Sequence, residues 1–195
     1  MDINQLIASR LRELREAQGL TLAALAERSS VSRSNISSIE RGESSATATV
    51  LDRLSAALGV TLASLFDKPA DAPSPVSRAG SQPVWTDPAS GYVRRNLSPL
   101  TYSPIQMVEV SFPAGQRIAY ETAARNTDVY QQLWMIDGQL ELTLGDTPWQ
   151  LGSGDCLAMK LDQPVSFHNP GDKPARYIVA LVTQPHKASR KESSP

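Results

Sequence analysis

The chain predicts two domains of different class, a helical bundle followed by a β domain, and three observations carry this. Up to residue 66 the apolar residues recur at helical spacing, each run preceded by a hydrogen-bonding cap. From Met107 onward they alternate with polar residues, the period of a strand with one buried face. Between the two stand Pro69, Pro73, Pro75 and Pro83 among Ala, Ser and Gly, the composition of a partly stiff, extended linker. The expected boundaries are a helical domain over 1–66, a linker over 67–83, a β domain over 84–185 and a polar, disordered tail over 186–195. A length of 195 residues accommodates two such domains.

In chain order, Ile7, Leu11 and Leu14 form the stripe of a first helix that Gly19 ends. Thr21 caps a second helix, with Leu22, Leu25 and Ala26 apolar up to Ser29. Ser29 and Ser30 break the pattern, Val31 is apolar at the turn, and Ser32 caps a third helix over 33–41 that Gly42 closes. Ile36 and Ile39 lie about 60° apart on this third helix and make its one apolar edge. Ser34, Ser37, Ser38 and Arg41 lie opposite, with Arg33 and Asn35 beside them. A helix with so thin an anchor and so small a polar outer face suits the DNA major groove, about 12 Å wide, where Arg, Asn and Ser bond base edges and phosphates. Val50, Leu51, Leu54 and Leu58 give a fourth helix, Gly59 stops it, and Thr61 to Phe66 reads as a short fifth.

In the second half Val108, Val110 and Phe112 alternate with polar neighbours, as do Leu140, Leu142 and Leu144; Tyr177 to Val182 is apolar on both faces. Turn signals recur at Pro113-Ala114-Gly115, Asp137-Gly138, Gly145-Asp146, 152–155 and 169–172. Short strands at this spacing predict a sandwich or barrel.

Net charge is −1, and residues 1–66 balance seven arginines against seven acids with no lysine. Nucleic-acid contact therefore depends on which face holds the arginines and on doubling by dimerisation, not on a global field. A lone cysteine, Cys156, excludes an intramolecular disulfide; in its apolar run it reads as a small core residue. No run is long enough to span a membrane and the N-terminus reads as an amphipathic helix, so a cytoplasmic protein without a membrane partner is expected.

The stretch TLAALAERSSVSRSNISSIERG resembles the helix-turn-helix of the phage-repressor-like XRE regulators, over roughly residues 7–66. It departs from the family where Leu22 replaces a Gln and Ser30 a turn Gly, which places left-handed strain on Ser30. The resemblance implies a five-helix, lambda-repressor-like bundle and an ion pair between Arg15 and Glu40. It also implies a DNA-binding set of Leu22, Ser32, Arg33, Ser34, Asn35, Ser37, Ser38 and Arg41. Of these Arg33, Ser34, Ser37 and Ser38 are expected on base edges, and Asn35 and Arg41 on phosphates. MIDGQLELTLGD, LGSGDCLAM and HNPGDKPARYIVALV are similar to the cupin fold, which implies a jelly-roll β-barrel over about 107–182. Counted from the turn glycines, the positions that hold metal in metal-binding cupins are here Glu121, Ala123, Gln131 and Val165, and neither His168 nor His186 falls on one. No metal and no cofactor is expected. Glu121 and Gln131, followed at period two by Leu133 and Met135, are the expected lining of a ligand site, with Glu121 an anchor for an amine or amino acid.

The combination implies a transcription regulator that binds a near-palindromic operator in double-stranded DNA as a homodimer. The barrel's edge strands are the expected dimer surface and its interior the expected site of a small-molecule effector. Two other readings stay open on the sequence: a cupin enzyme with an accessory helical domain, and an antitoxin-like protein-binding module.

Overall fold

A computed structural model describes residues 2–67, 74–101, 103–121 and 127–185. Six linker residues (68–73), Ala123 and the expected tail lie outside the described residues.

The helical half contains α1 (Ile3–Ala17), α2 (Leu22–Ser29), α3 (Arg33–Glu40) and α4 (Ala48–Ala57). Hydroxyl caps set three of the starts. Thr21 accepts from the Ala24 N–H at 3.1 Å, Ser32 from Asn35 at 3.2 Å and Thr47 from Val50 at 3.4 Å. Each such cap contributes about 1 kcal/mol. The apolar stripes converge on a core in which Leu11, Leu25, Ile36, Leu51, Leu54 and Leu65 are fully buried.

The expected fifth helix is absent. Leu62–Phe66 forms a 3₁₀ turn, so the bundle has four α-helices. Five residues do not complete enough i→i−4 bonds to repay α-helix nucleation. Thr61 instead takes the Ser64 N–H on both its carbonyl, at 3.1 Å, and its hydroxyl, at 3.2 Å. The segment still delivers Leu65 and Phe66 to the core.

The β half holds ten antiparallel strands: β1 (Val84–Thr86), β2 (Val93–Asn96), β3 (Ile105–Phe112), β4 (Arg117–Tyr120), β5 (Thr127–Asp137), β6 (Gln139–Leu144), β7 (Thr147–Gly152), β8 (Cys156–Lys160), β9 (Val165–His168) and β10 (Ala175–Pro185). They form a six-stranded sheet in the order β1-β2-β3-β10-β5-β8 and a four-stranded sheet in the order β4-β9-β6-β7. Inward residues of both, among them Val110, Leu133, Val179, Leu142 and Phe167, belong to one core.

The expected barrel is not formed. The two sheets remain separate, and among the described residues no edge strand of one pairs with an edge strand of the other. Closure requires edges long enough to hydrogen-bond with matched tilt and stagger, whereas the edge strands β1, β4, β7 and β8 have three, four, six and five residues. Helical residues occupy part of the open side, where α4 packs on β4. Cys156 departs from expectation as well. It is exposed on edge strand β8, where Met159 alone turns fully inward.

Candidate functional site

The segment α2–turn–α3 forms one exposed polar surface. Ile36 and Ile39 are buried, and Val31 at the turn is buried with them. The turn residue Ser30 has φ 55°, the one non-glycine positive φ among the described residues. The preceding Ser29 stabilises it by donating to the Leu25 carbonyl at 2.7 Å and accepting from the Val31 N–H at 3.3 Å. With the core side fixed, Ser32, Arg33, Ser34 and Asn35 are exposed and Ser37 and Ser38 half-buried. Arg41 closes the surface. It pairs with Glu43 at 2.6 Å and donates to the hydroxyls of Ser37 and Ser38. The Glu43 carboxylate is held below its usual range by this hydrogen bond. Leu22 is half-buried and packs on the core, so it supports α2 more than it faces outward.

α1 braces this surface from behind. Arg15 donates to both Glu40 oxygens, from Nε at 2.7 Å and from a terminal nitrogen at 2.8 Å, and also to the Leu20 carbonyl at 3.0 Å. The pair is largely buried, with side-chain exposures of 12% for Arg15 and 5% for Glu40. The hydrogen bond to Glu40 raises the Arg15 pKa. Arg12 donates to the Glu40 carbonyl at 2.6 Å and caps the C-terminal end of α3.

A second site lies between the sheets. The cavity offers about 100 Å³ to the centre of a water-sized solute. A single water needs about 10–15 Å³ on that measure, so the space suits a small organic molecule. Much of its wall is apolar: Val110 and Phe112 from β3, Ile118 from β4, Val165 and Phe167 from β9, Val179 and Leu181 from β10. Polar groups also reach it: Tyr92, Arg94, Tyr120, Glu121, Gln131, Gln163 and Tyr177 from the β half, and Asp52 and Thr61 from the helical half. The hydroxyls of Tyr92 and Tyr120 lie 3.4 Å apart. Burial raises the pKa of Tyr92, Tyr120 and Tyr177, which keeps all three as neutral donors.

Asp52, Thr61 and Leu62 make the helical half part of the cavity wall, and a polar seam secures the two halves around it. Asp87, 2% exposed, accepts from the Ala48 N–H at 2.8 Å, satisfying an open donor at the start of α4. Asn96 donates to the Ala63 carbonyl at 3.1 Å, Thr61 bonds Gln106 at 2.6 Å, and Arg53 pairs with Glu121 at 2.7 Å. Phe66, Trp85, Tyr92 and Phe112 form a ladder of rings from the 3₁₀ turn into the β core, with centroids 5.7, 5.7 and 6.1 Å apart.

Of the expected ligand residues, Gln131 and Glu121 line this cavity, whereas Leu133 and Met135 are fully buried core residues outside its lining. Gln131 is buried and donates to the Met159 sulfur at 3.3 Å. Glu121 stands at the rim, its side chain 77% exposed and held by Arg53. Val165, a third position reached by counting from the turn glycines, lines the cavity as well. The count did not find Arg94 or the three tyrosines. Their signal was weak: in β2 the inward positions are Arg94 and Asn96, the reverse of the usual apolar-in pattern. Among the described residues no group of three or more His, Cys, Asp or Glu side chains could hold a metal ion. His168 instead pairs with Glu141 at 2.7 Å, its cross-strand neighbour in the four-stranded sheet.

Comparison with known proteins follows this division. A helix-turn-helix family model matches residues 11–65 and a cupin domain model residues 109–181. The chain is 26% identical over 178 residues to the HTH-type transcriptional regulator SutR of Escherichia coli, covering 90% of this chain and 94% of that protein. It is 28% identical over 182 residues to the HTH-type transcriptional regulator PuuR of the same organism, covering 88% and 91%. A crystal structure of an HTH_3 family transcriptional regulator from Vibrio cholerae shares the fold, with a TM-score of 0.74 at 22% identity over 94% of this chain and 98% of the other. No helix among the described residues is long and apolar enough to cross a membrane.

Proposed function

We infer that this chain, which carries an N-terminal XRE-like helix-turn-helix domain and a C-terminal cupin domain as the XRE-family cupin regulators do, is a sequence-specific DNA-binding transcription regulator. The observation that carries the reading is the α3 surface. Ile36 and Ile39 anchor the helix while Arg33, Ser34, Asn35, Ser37, Ser38 and Arg41 face away from the core, side by side and small enough to enter a major groove. The helix-turn-helix domain implies DNA as partner, and the family matches are to regulators rather than to catalytic proteins.

In this reading the regulator acts as a homodimer on a near-palindromic operator, because one α3 contacts too few base pairs to select a single genomic site. The outer face of the six-stranded sheet supports the assembly. Strand register aligns Ile105 and Met107 on β3, Ile178, Ala180 and Val182 on β10, and Tyr130 and Trp134 on β5. Ile105, Met107, Tyr130 and Trp134 are each between 39% and 52% exposed. An apolar face of this kind marks a protein contact, and a twisted antiparallel sheet is self-complementary about a two-fold axis. Its face, more than its edges, is the dimer surface. The cavity between the sheets is the effector site. Because helical residues form part of its wall, an occupant that favours one placement of the two halves changes DNA affinity by that preference.

The test is Trp134→Glu. Sedimentation is expected to give a dimer for the parent chain and a monomer for the variant, with operator affinity lost in the monomer. A variant that stays dimeric, or a monomer that retains full affinity, contradicts the assembly.

A further inference from the structure

We propose that the cavity between the sheets binds a small organic monocarboxylate, with its carboxylate on Arg94 and its aliphatic part against Val110, Ile118 and Val179. The proposal deepens the effector reading above and rests on it.

Arg94 is the starting point. It lines the cavity and is 8% exposed, and its Nε is buried without a hydrogen-bond partner. The Tyr92 hydroxyl lies beside the guanidinium, close enough to take a hydrogen bond from it. The guanidinium also lies 5.8 Å from the centre of the Phe66 ring, a contact that offsets burial of the charge only in part. A guanidinium presents a planar fork of donors, and the group that matches it with two parallel hydrogen bonds is a carboxylate. The nearby Tyr92 and Tyr120 hydroxyls stay neutral and share one hydrogen bond, which leaves one O–H to donate to an anion.

The other charges restrict the ligand further. Of the carboxylates at the cavity, Glu121 stands at the exposed rim and is already paired with Arg53. Arg94 is the one cationic side chain among the described lining residues, so the cavity matches one carboxylate and offers no partner for a second. The remaining wall offers branched aliphatic and aromatic side chains, which suit a short hydrocarbon tail. The same occupant is in contact range of both halves, because Asp52, Thr61 and Leu62 belong to the wall.

The experiment uses the full chain and three probes of similar shape and different charge: 3-methylbutanoate, 3-methylbutanamide and 3-methylbutylamine. Binding is read by calorimetry and by tryptophan fluorescence, since Trp85 packs edge-on against Tyr92, which lines the cavity. The carboxylate is expected to bind, and the amide and amine to bind at least about tenfold more weakly. Arg94→Gln is expected to abolish carboxylate binding while its thermal transition and operator affinity stay close to the parent's. Arg94→Lys keeps the charge without the fork, is expected to bind with intermediate affinity, and serves if the glutamine variant does not fold. Equal or tighter binding of the amide or amine overturns the proposal, as does undiminished carboxylate binding in Arg94→Gln. Binding of none of the three up to ~10 mM overturns it too. Operator affinity separates this proposal from the reading beneath it. Carboxylate binding through Arg94 that leaves operator affinity unchanged upholds the site and removes the effector role. An amine that binds in the cavity and shifts operator affinity upholds the effector role and removes the carboxylate.

Discussion

Replacing Glu40 by glutamine removes one charge of a largely buried ion pair that fixes α3 against α1. The native carboxylate receives two charge-assisted hydrogen bonds from Arg15, at 2.7 and 2.8 Å. Breaking a buried pair costs about 3–5 kcal/mol, because the remaining charge stays desolvated. The lower end applies here: Arg15 is 12% exposed, keeps its bond to the Leu20 carbonyl, and a glutamine oxygen can retain one neutral hydrogen bond. The expected loss is therefore about 3 kcal/mol, a large share of the 5–15 kcal/mol typical of a folded domain. Urea unfolding followed by far-ultraviolet circular dichroism measures it as a lowered midpoint at unchanged slope. The double variant Arg15→Met, Glu40→Met is expected to recover to within about 1 kcal/mol of the parent, since well-packed apolar residues replace a buried pair at little cost. A loss under about 1 kcal/mol for Glu40→Gln, or a double variant as unstable as the single one, refutes the reasoning.

Two further outcomes follow from the seam and the cavity. Trp85→Ala removes a 2%-exposed ring packed between Phe66 and Tyr92 and is expected to cost about 3–5 kcal/mol and to split one thermal transition into two, one for each half; a single transition at the parental temperature contradicts the shared core. The three buried tyrosines have folded pKa values raised above the unfolded value of about 10, so their contribution is complete below pH 10 and is lost as pH rises beyond it. Stability is expected to fall by up to about 4 kcal/mol per pH unit in that range, and Tyr177→Phe to reduce the slope by about a third, as read by urea midpoints across an alkaline series.

What the sequence made legible was local. Caps at Thr21 and Ser32 and the glycines at 19, 42 and 59 mark helix boundaries because each acts within three or four residues. The five turn signals in the second half fall between consecutive strands for the same reason. The failures concern long-range geometry. Whether two sheets close depends on the lengths of edges far apart in sequence, and no periodicity reports that. The residues 61–66 are amphipathic enough for a helix and too few to sustain one. Cys156 sits in an apolar run on an edge strand, where one face alone is covered. The candidate site was legible where the polar face of α3 opposes two isoleucines. It was illegible at Arg94, because a buried arginine contradicts the hydrophobic pattern by which inward positions are recognised, and its partners Phe66 and Tyr92 come from other elements.

The proposed function rests on base-sequence reading by the α3 surface. Selection of bound fragments from genomic DNA, followed by footprinting of the recovered site with the parent chain and Arg33→Ala, tests it most directly. Two protected half-sites are expected with centres about 34 Å or a multiple of that apart, and a loss of about 1–3 kcal/mol in the variant together with relaxed preference at one position of each half-site. Binding without sequence preference, or a footprint and affinity unchanged by Arg33→Ala, would contradict it.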